Sequence, residues 1–343
     1  DHRDLHSFPT RRSSDLDRTA LYWIARGDDI NCHLCPRECI ISQGLTGACG
    51  VRENSGGRLV SLNYGWACVA VDPVEKKPLY HWRPGTRILS LGTFGCNLFC
   101  PYCQNHHLSR SKNHKGLSWT NPSDVLRLLQ HHDAPSVAFT YNEPTVWYEF
   151  VRDTSLLLKR EKKGVVLVTN GYISRKPLED LIHLVDAMNI DLKGFSDSTY
   201  SMLGGTLAPV LDTVRIAFER SVHVEITHLV VPGINDSIEE FRHLVRWIAG
   251  ISESIPLHIS RYFPDYRWAL PPTPIPSIRV REEIASEFLE NVYSGNLQSR
   301  NNTLCPVCGE VLVERDDLYR ASVHLLEDGT CPRCRTPRGI VMS

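Results

Sequence analysis

The sequence predicts an α/β protein: a partial (β/α)6 TIM-like barrel of parallel strands, with an N-terminal cysteine-rich flap and a C-terminal zinc-ribbon-like module. Three observations carry this. Between Arg87 and Asn291, six short strand-like runs alternate with helix-like stretches, and repeated strand–helix units imply parallel strands joined by right-handed crossovers. The runs are apolar and β-branched along their whole length, as strands covered on both faces are. Eleven of the twelve cysteines fall in three compact clusters at metal-ligand spacing.

Taken in order, residues 1–16 (DHRDLHSFPTRRSSDL) carry no periodicity or motif. They read as the translation of a sequencing adapter, a non-native leader, with the native start upstream of Asp17. Residues 17–85 are expected to form a four-cysteine segment and a flap, 86–296 the partial barrel, and 297–343 the C-terminal module. The first cluster is Cys32-x2-Cys35-x3-Cys39-x9-Cys49. Four cysteines close a tetrahedral zinc site or hold an auxiliary iron–sulfur cluster, and a thiol set without permanent metal is the third option. From Leu59 to Tyr80 an alternating pattern predicts short strands and turns. Cys68 stands alone and reads as a buried small apolar residue. Lys76 to His81 reads as a solvated turn followed by a packed aromatic.

The strand candidates are RILSLG (87–92), SVAFT (136–140), VVLVT (165–169), AMNIDL (187–192), VHVEITHLV (222–230) and LHIS (257–260). Helices are expected from Pro122 to about His131, Thr145 to Lys163, Pro177 to Val185, Leu211 to Arg220, Ser237 to Ile251 and Arg281 to Val292. Between the first strand and the first helix lies GTFGCNLFCPYCQNHHLS, with Cys96-x3-Cys100-x2-Cys103 at its centre. Three thiolates in one loop suit three corners of a four-iron cluster and leave one iron open. A zinc loop borrowing its fourth ligand is the competing reading. Gly92 and Gly95 let the backbone approach the sulfurs, and Pro101 restricts the chain between the second and third ligands.

Active sites of such barrels sit at the carboxyl ends of the strands. Each candidate ends in polar or small residues: the cysteine loop, Asn142 and Glu143, Thr169 and Asn170, Asp191 and Lys193, the PGIND turn (232–236), and His258 to Arg261. Ordinary structural roles compete: caps for Asn142, Asn170 and Asp236, an ion pair for Asp191 and Lys193, a core position for His258. The tandem pairs His106-His107 and His131-His132 read as surface or turn residues. Arg261 to Arg267 mixes aromatics with arginine and suits closure of the barrel mouth. In the tail, Cys305-x2-Cys308 and Cys331-x2-Cys334 flank strand-like EVLVE as in a zinc ribbon. Zinc is expected there, with iron or empty thiols as alternatives. Arg335 stands where a knuckle glycine is usual.

A net charge of −1 gives no electrostatic footprint for nucleic acid. No apolar run reaches membrane-span length, so no membrane association is expected. Clustered cysteines argue for a reducing, cytoplasmic setting.

CNLFCPYC resembles the CxxxCxxC loop of the radical S-adenosylmethionine (SAM) enzymes. KKPLYHWRPG…SLGTFGCNLFCPYCQN resembles more narrowly the radical SAM member of the AmmeMemoRadiSam system, related to pyruvate formate-lyase activating enzymes. The resemblance runs from about Cys32 to about Gly339. It implies a partial barrel and a [4Fe-4S] cluster on the catalytic ligands Cys96, Cys100 and Cys103. The open iron would chelate the amino and carboxylate groups of SAM. A reductant such as flavodoxin or ferredoxin would supply the electron that splits SAM into methionine and a 5′-deoxyadenosyl radical. That radical would abstract hydrogen from a protein glycine, as in activating enzymes, or from a small molecule. Partners of the AMMECR1 and Memo types are implied as well. TYNEP falls where relatives carry Gly-Gly-Glu, which assigns Asn142 and Glu143 to the SAM amino group. TNG and DxK matches assign Thr169, Asn170 and Asp191 to the ribose, although Val168 replaces a frequent acid. Lys193 is assigned to the carboxylate of SAM or of the substrate, His258 to SAM, and PGIND to the neighbourhood of the adenine. The alternative class is a non-catalytic iron–sulfur or zinc scaffold, or an electron-transfer protein.

Overall fold

The structure is a computed structural model and describes residues 18–297, 301–337 and 339–342. The adapter-like leader lies outside the described residues. Six short strands come first: β1 (Arg18–Thr19), β2 (Trp23–Arg26), β3 (Asp29–Cys32), β4 (Ile40–Ile41), β5 (Arg52–Ser55) and β6 (Arg58–Ser61). They pair antiparallel in two small sheets ordered β1-β6-β5 and β2-β3-β4.

The main sheet begins with β7 (Trp66–Pro73) and β8 (Arg87–Gly92), followed by helix α1 (His106–Ser109), β9 (Ser118–Trp119) and α2 (Pro122–His131). Then come β10 (Ser136–Phe139), α3 (Tyr148–Arg160), β11 (Gly164–Thr169), α4 (Arg175–Leu181), β12 (Ala187–Asp191), α5 (Asp197–Met202) and α6 (Ala208–Glu219). It finishes with β13 (His223–Val230), α7 (Ile238–Ala249), β14 (Leu257–Arg261), α8 (Ile275–Ser286) and β15 (Val292–Gly295). The strand order is β15-β14-β13-β12-β11-β10-β8-β7-β9. Strands β8 and β10 to β15 run parallel. Strand β7 joins antiparallel along β8, from Cys68 opposite Gly92 to Pro73 opposite Arg87.

All six expected strands are present, but six parallel strands is one too few. Val292 was expected to end a helix and instead starts β15. The stretch VYSG has too little apolar content to read as a strand. The last helix lies earlier than expected because Pro276 sits in its first turn, where proline is favoured. Strand β7, expected in a flap, extends the main sheet.

Both faces of the parallel strands are covered, which explains their unbroken apolar runs. On the helix side Leu89, Leu91, Val137, Phe139, Val165 and Leu167 join the main core. Alternate residues Ile88, Ala138, Val166 and Ala187 pack instead against Val74, Leu79 and Trp82. The KKPLYHW string is therefore no solvated turn; only Lys76 is exposed, and Lys77 is buried. Lys77 Nζ donates to Asp72 Oδ2 at 2.8 Å, which Ser90 Oγ and Tyr141 OH also reach, at 2.8 and 2.9 Å. Asn189 Nδ2 donates to Pro78 O at 2.8 Å. Glu225 accepts the backbone N–H of Tyr80 (2.9 Å) and His81 (2.7 Å), and meets His223 Nε2 (2.9 Å) and His258 Nε2 (2.7 Å). Burial opposes its charge, but the two imidazoles hold the Glu225 carboxyl well below the usual range.

The tail folds as β16 (Thr303–Leu304), β17 (Val311–Arg315) and β18 (Ala321–Val323), an antiparallel sheet. It braces the same buried segment, because Arg315 Nη2 donates to Tyr80 O at 2.6 Å and the guanidinium lies 4.2 Å from the Tyr80 ring centroid. Arg335 takes φ +59°, the left-handed turn that Gly309 makes in the first knuckle at +72°. Among the described residues no helix is long and apolar enough to cross a membrane.

Two buried histidines make the fold acid-sensitive. Burial pushes His81 down to about 3 and His228 down to about 4. An unfolded histidine titrates near ~6.5. Between those values the unfolded chain binds protons that the folded chain does not, so stability falls as pH falls through this window. The expected slope is about 1.4 kcal/mol per pH unit for each histidine. Urea unfolding at pH 7 and pH 5 should differ by up to about 4 kcal/mol, with a smaller gap after His81→Gln and His228→Gln. Equal stability at the two pH values contradicts the assignment.

Candidate active site

The loop that follows β8 is shaped from outside itself. Gly92 leaves no room for a side chain, since an added Cβ would lie 2.8 Å from the Tyr141 ring. Gly95 has φ +89°, and an added Cβ there would meet Val51 at 2.6 Å. Between these glycines Asn142 closes the first turn: its Oδ1 accepts Thr93 N–H at 3.0 Å and its Nδ2 donates to Gly95 O at 2.8 Å. Further along, Asn97 Nδ2 donates to Tyr172 O at 2.6 Å, and Arg110 Nη2 reaches Cys96 O and Leu98 O at 3.0 and 2.8 Å.

Local sequence explains why strand β10 ends this way. Tyr141 adopts φ +71°, turning the chain so that Asn142 faces the loop. Glu143 then starts a short 3-10 turn, Pro144–Trp147, and accepts Thr145 N–H at 2.9 Å. The same carboxylate accepts Thr169 Oγ1–H at 2.7 Å and Asn170 N–H at 2.8 Å. Burial raises the Glu143 pKa despite these donors. Asn170 Nδ2 donates to Asn97 Oδ1 at 3.0 Å and lies 3.8 Å from Cys96 Sγ.

On the opposite side of the loop, Lys193 Nζ pairs with Asp191 Oδ2 at 2.8 Å. Burial opposes the charge of Lys193, but Asp191 and Cys100 outweigh it and raise its pKa. Asn235 of the PGIND turn holds Lys193 O at 2.7 Å. Cys103 Sγ lies 3.3 Å from Ser109 Oγ. Burial pushes the Cys96 and Cys100 thiols up, so metal coordination is what would make thiolates of them. The mouth segment packs over the loop: Arg267 N–H donates to Pro101 O at 2.9 Å, and Tyr266 stacks on His106 at 4.7 Å. His106, expected at the surface, is half-buried there and lies 3.3 Å from Asp265.

The structure thus gathers Cys96, Asn142, Glu143, Thr169 and Asn170 into one network, and Asp191 and Lys193 beside Cys100 and Cys103. It does not bring His258 to them. Its Nε2 is bound to Glu225, inside the sheet with Tyr80 stacked edge-on at 4.6 Å. Asn97, Ser109 and the Asp72, Ser90 and Tyr141 cluster of buried Lys77 carry no motif that marks them in the sequence. Asn97, between two cysteine ligands, was the visible hint. Cys68 is half-buried on β7, and burial raises its thiol pKa.

The tail cysteines Cys305, Cys308, Cys331 and Cys334 have sulfurs all within 4.8 Å of one another, so this cluster can bind a metal. The pairs Cys305–Cys334 and Cys308–Cys331 each lie at 3.6 Å. Cys32 ends β3, and Cys35, Cys39 and Cys49 lie in the turns between the N-terminal strands. Among all twelve cysteines there is no disulfide.

The radical SAM superfamily profile matches residues 90–248. An uncharacterised protein of Methanocaldococcus jannaschii, MJ0808, is 38% identical over 334 residues, covering 95% of this chain and 100% of its own length. A protein of the same organism named for glycyl-radical enzyme activation, MJ1632, is 27% identical over 51% of this chain and 67% of its own. The pyruvate formate-lyase-activating enzyme of Clostridium pasteurianum is 28% identical over 48% of this chain and 72% of its own. The profile covers the cysteine loop and most of the parallel strands. The chain belongs to the radical SAM superfamily and is a radical SAM enzyme.

Proposed function

We propose that this enzyme cleaves SAM reductively at a [4Fe-4S] cluster held by Cys96, Cys100 and Cys103, and uses the radical to abstract hydrogen from a substrate. The observation that carries this is a loop of only three cysteines, pinned by Asn142, Asn97 and Arg110, with an ion pair beside it. When bound, the cluster supplies the electron that opens the carbon–sulfur bond of SAM to a 5′-deoxyadenosyl radical.

The chain's own residues divide the remaining work. Asn142 and Glu143 have their polar atoms engaged within the protein, so they act as positioning residues for the loop and for β11. Asn170 turns its amide toward the Cys96 sulfur, where an N–H steadies thiolate charge. Asp191 keeps 30% of its side chain exposed and is the carboxylate available to ribose hydroxyls. Lys193 suits the SAM carboxylate. His258 serves the inner face through Glu225. The parallel strands are read as a partial barrel that takes the substrate at the strand ends beside the cysteine loop. A protein glycine is the favoured hydrogen donor, on the model of the activating-enzyme relatives. Flavodoxin or ferredoxin serves as reductant, AMMECR1-type and Memo-type proteins as partners, and the cytoplasm as location. The tail quartet is read as a zinc site. A Zn–S bond of about 2.3 Å sets tetrahedral edges of about 3.8 Å, close to the 3.6 Å seen.

Two outcomes test this. Anaerobically reconstituted protein given dithionite and SAM should release 5′-deoxyadenosine, and Cys100→Ala should release none; product from that variant would refute the cluster assignment. Asn142→Ala should keep the fold, judged by circular dichroism, yet lower iron retention and SAM cleavage by about 10–100-fold. Wild-type iron content and turnover in Asn142→Ala would remove Asn142 from the positioning role.

A further inference from the structure

We propose that Cys32, Cys35, Cys39 and Cys49 hold a second iron–sulfur cluster, which relays electrons to the one at Cys96, Cys100 and Cys103. The relay rests on the reading of that loop given above; the second cluster rests on geometry of its own.

Three cysteine sets can be compared within one molecule. The tail sulfurs gather within 4.8 Å, as a single ion requires. Among the described residues no other three or more His, Cys, Asp or Glu ligand atoms are drawn together so closely. The N-terminal sulfurs, like those of the Cys96 loop, are thus not gathered to the spacing that a single ion sets in the tail. A four-iron cube imposes wide spacing, because each thiolate binds a different corner. The set is still one group, since Cys32 N–H donates to Cys39 O at 2.9 Å and Glu38 N–H, beside Cys39, donates to Cys35 O at 3.1 Å. Ala48 N–H points to Cys39 Sγ at 3.5 Å.

A buried cation lies beside it. Arg52 is 1% exposed and acts electrostatically on both Cys32 and Cys49. Its Nη2 meets Glu149 Oε1 at 2.6 Å and its Nη1 meets Leu21 O at 3.0 Å, while its Nε has no hydrogen-bond partner among the described residues. An unpaired buried donor is costly unless an anion accepts it, and a thiolate-ligated cluster is anionic.

The two sets are also in contact. An added Cβ on Gly95 would lie 2.8 Å from Cys49 O. Arg37, between Cys35 and Cys39, donates Nε–H to Asn97 O at 2.6 Å. Its guanidinium stacks 4.4 Å from the Phe99 ring, which Arg110 approaches at 4.6 Å. A cleft of about 410 Å³ is lined by Cys49 and Phe99 together with Arg110, Lys112 and Arg267. Such a basic cleft suits an acidic, low-potential one-electron carrier of the flavin or iron–sulfur class. One electron passes from the carrier to the N-terminal cluster, and the same electron passes on to the loop cluster; no proton need move.

Metal analysis of the wild type, reconstituted anaerobically with iron, sulfide and zinc, decides the first part. About eight irons and one zinc per chain are expected. About four irons, with either one or two zincs, overturns the second cluster. Cys32→Ser with Cys49→Ser should lose about half the iron while keeping the SAM-induced change in the electron paramagnetic resonance of the remaining cluster. That variant should still form 5′-deoxyadenosine with dithionite, but about tenfold more slowly with reduced flavodoxin. An unchanged flavodoxin-driven rate overturns the relay. Absence of any SAM response in the wild type would instead count against the loop reading, and the metal count would stand apart from it. If the double variant does not fold, the wild-type count still decides the site.

Discussion

The amide of Asn142 is the constraint on which the cysteine loop depends. A loop rich in glycine cannot hold three sulfurs in a fixed triangle by its own propensities. Asn142 supplies both a donor and an acceptor to its first turn, across Thr93 and Gly95. The left-handed Tyr141 aims it there. The next residue extends the constraint: Glu143 ties the end of β10 to the end of β11 through Thr169 and Asn170. A buried carboxylate is tolerable only when donors surround it, and three do. Loop and strand ends therefore form one hydrogen-bonded body, so a change at Glu143 is felt at Cys96 through Asn170.

Inside the sheet a second carboxylate organises the opposite pole. Glu225 gathers two backbone amides and two imidazoles, and so threads the Lys77–Trp82 segment across the inner face of the strands. Removing one partner of a buried charged set costs about 3–5 kcal/mol. That magnitude makes Glu225 a structural group, and His258 with it. Together the segment and Glu225 close one end of the sheet's inner face and leave the strand ends near the cysteine loop as the place for chemistry.

Much of this was legible in the sequence. Strands β8 and β10 to β14 stand out because both of their faces are apolar, and α2 announces itself through Asn121, Pro122 and Asp124, a capping box with proline in the first turn. The cysteine loop was legible from spacing alone. Strand β15 was not, because VYSG buries Tyr293 and Ser294 against polar neighbours and not in an apolar layer. Nor could spacing tell a polar strand-end residue that meets a ligand from one that holds the scaffold. Asn142, Glu143 and His258 carry the right chemistry for a ligand, and their partners are set by non-local contacts. Lys77 shows the reverse case. A lysine beside proline reads as solvent-exposed, yet the neighbouring Asp72, brought to about 2 by Lys77, Ser90 and Tyr141 against the cost of burial, gives it a buried partner.

The tail links its metal site to this interior through one side chain. Arg315 ends β17, whose Leu312 and Val313 pack with Cys305 and Cys331, and its guanidinium reaches Tyr80 O, Asn301 O and Thr303 Oγ1, with Glu75 at 3.9 Å. Tyr80 in turn gives its N–H to Glu225 and its ring to His258. A guanidinium buried to this degree keeps its place only if the strand carrying it is fixed, because its desolvation is offset by geometry and not by a single strong partner. Four cysteines closing on one ion would supply that fixity to a three-stranded sheet too small to have a large core of its own. The tail thus works as a brace that holds Arg315 against Tyr80, and a metal on its four cysteines would act on the inner face of the sheet through that contact.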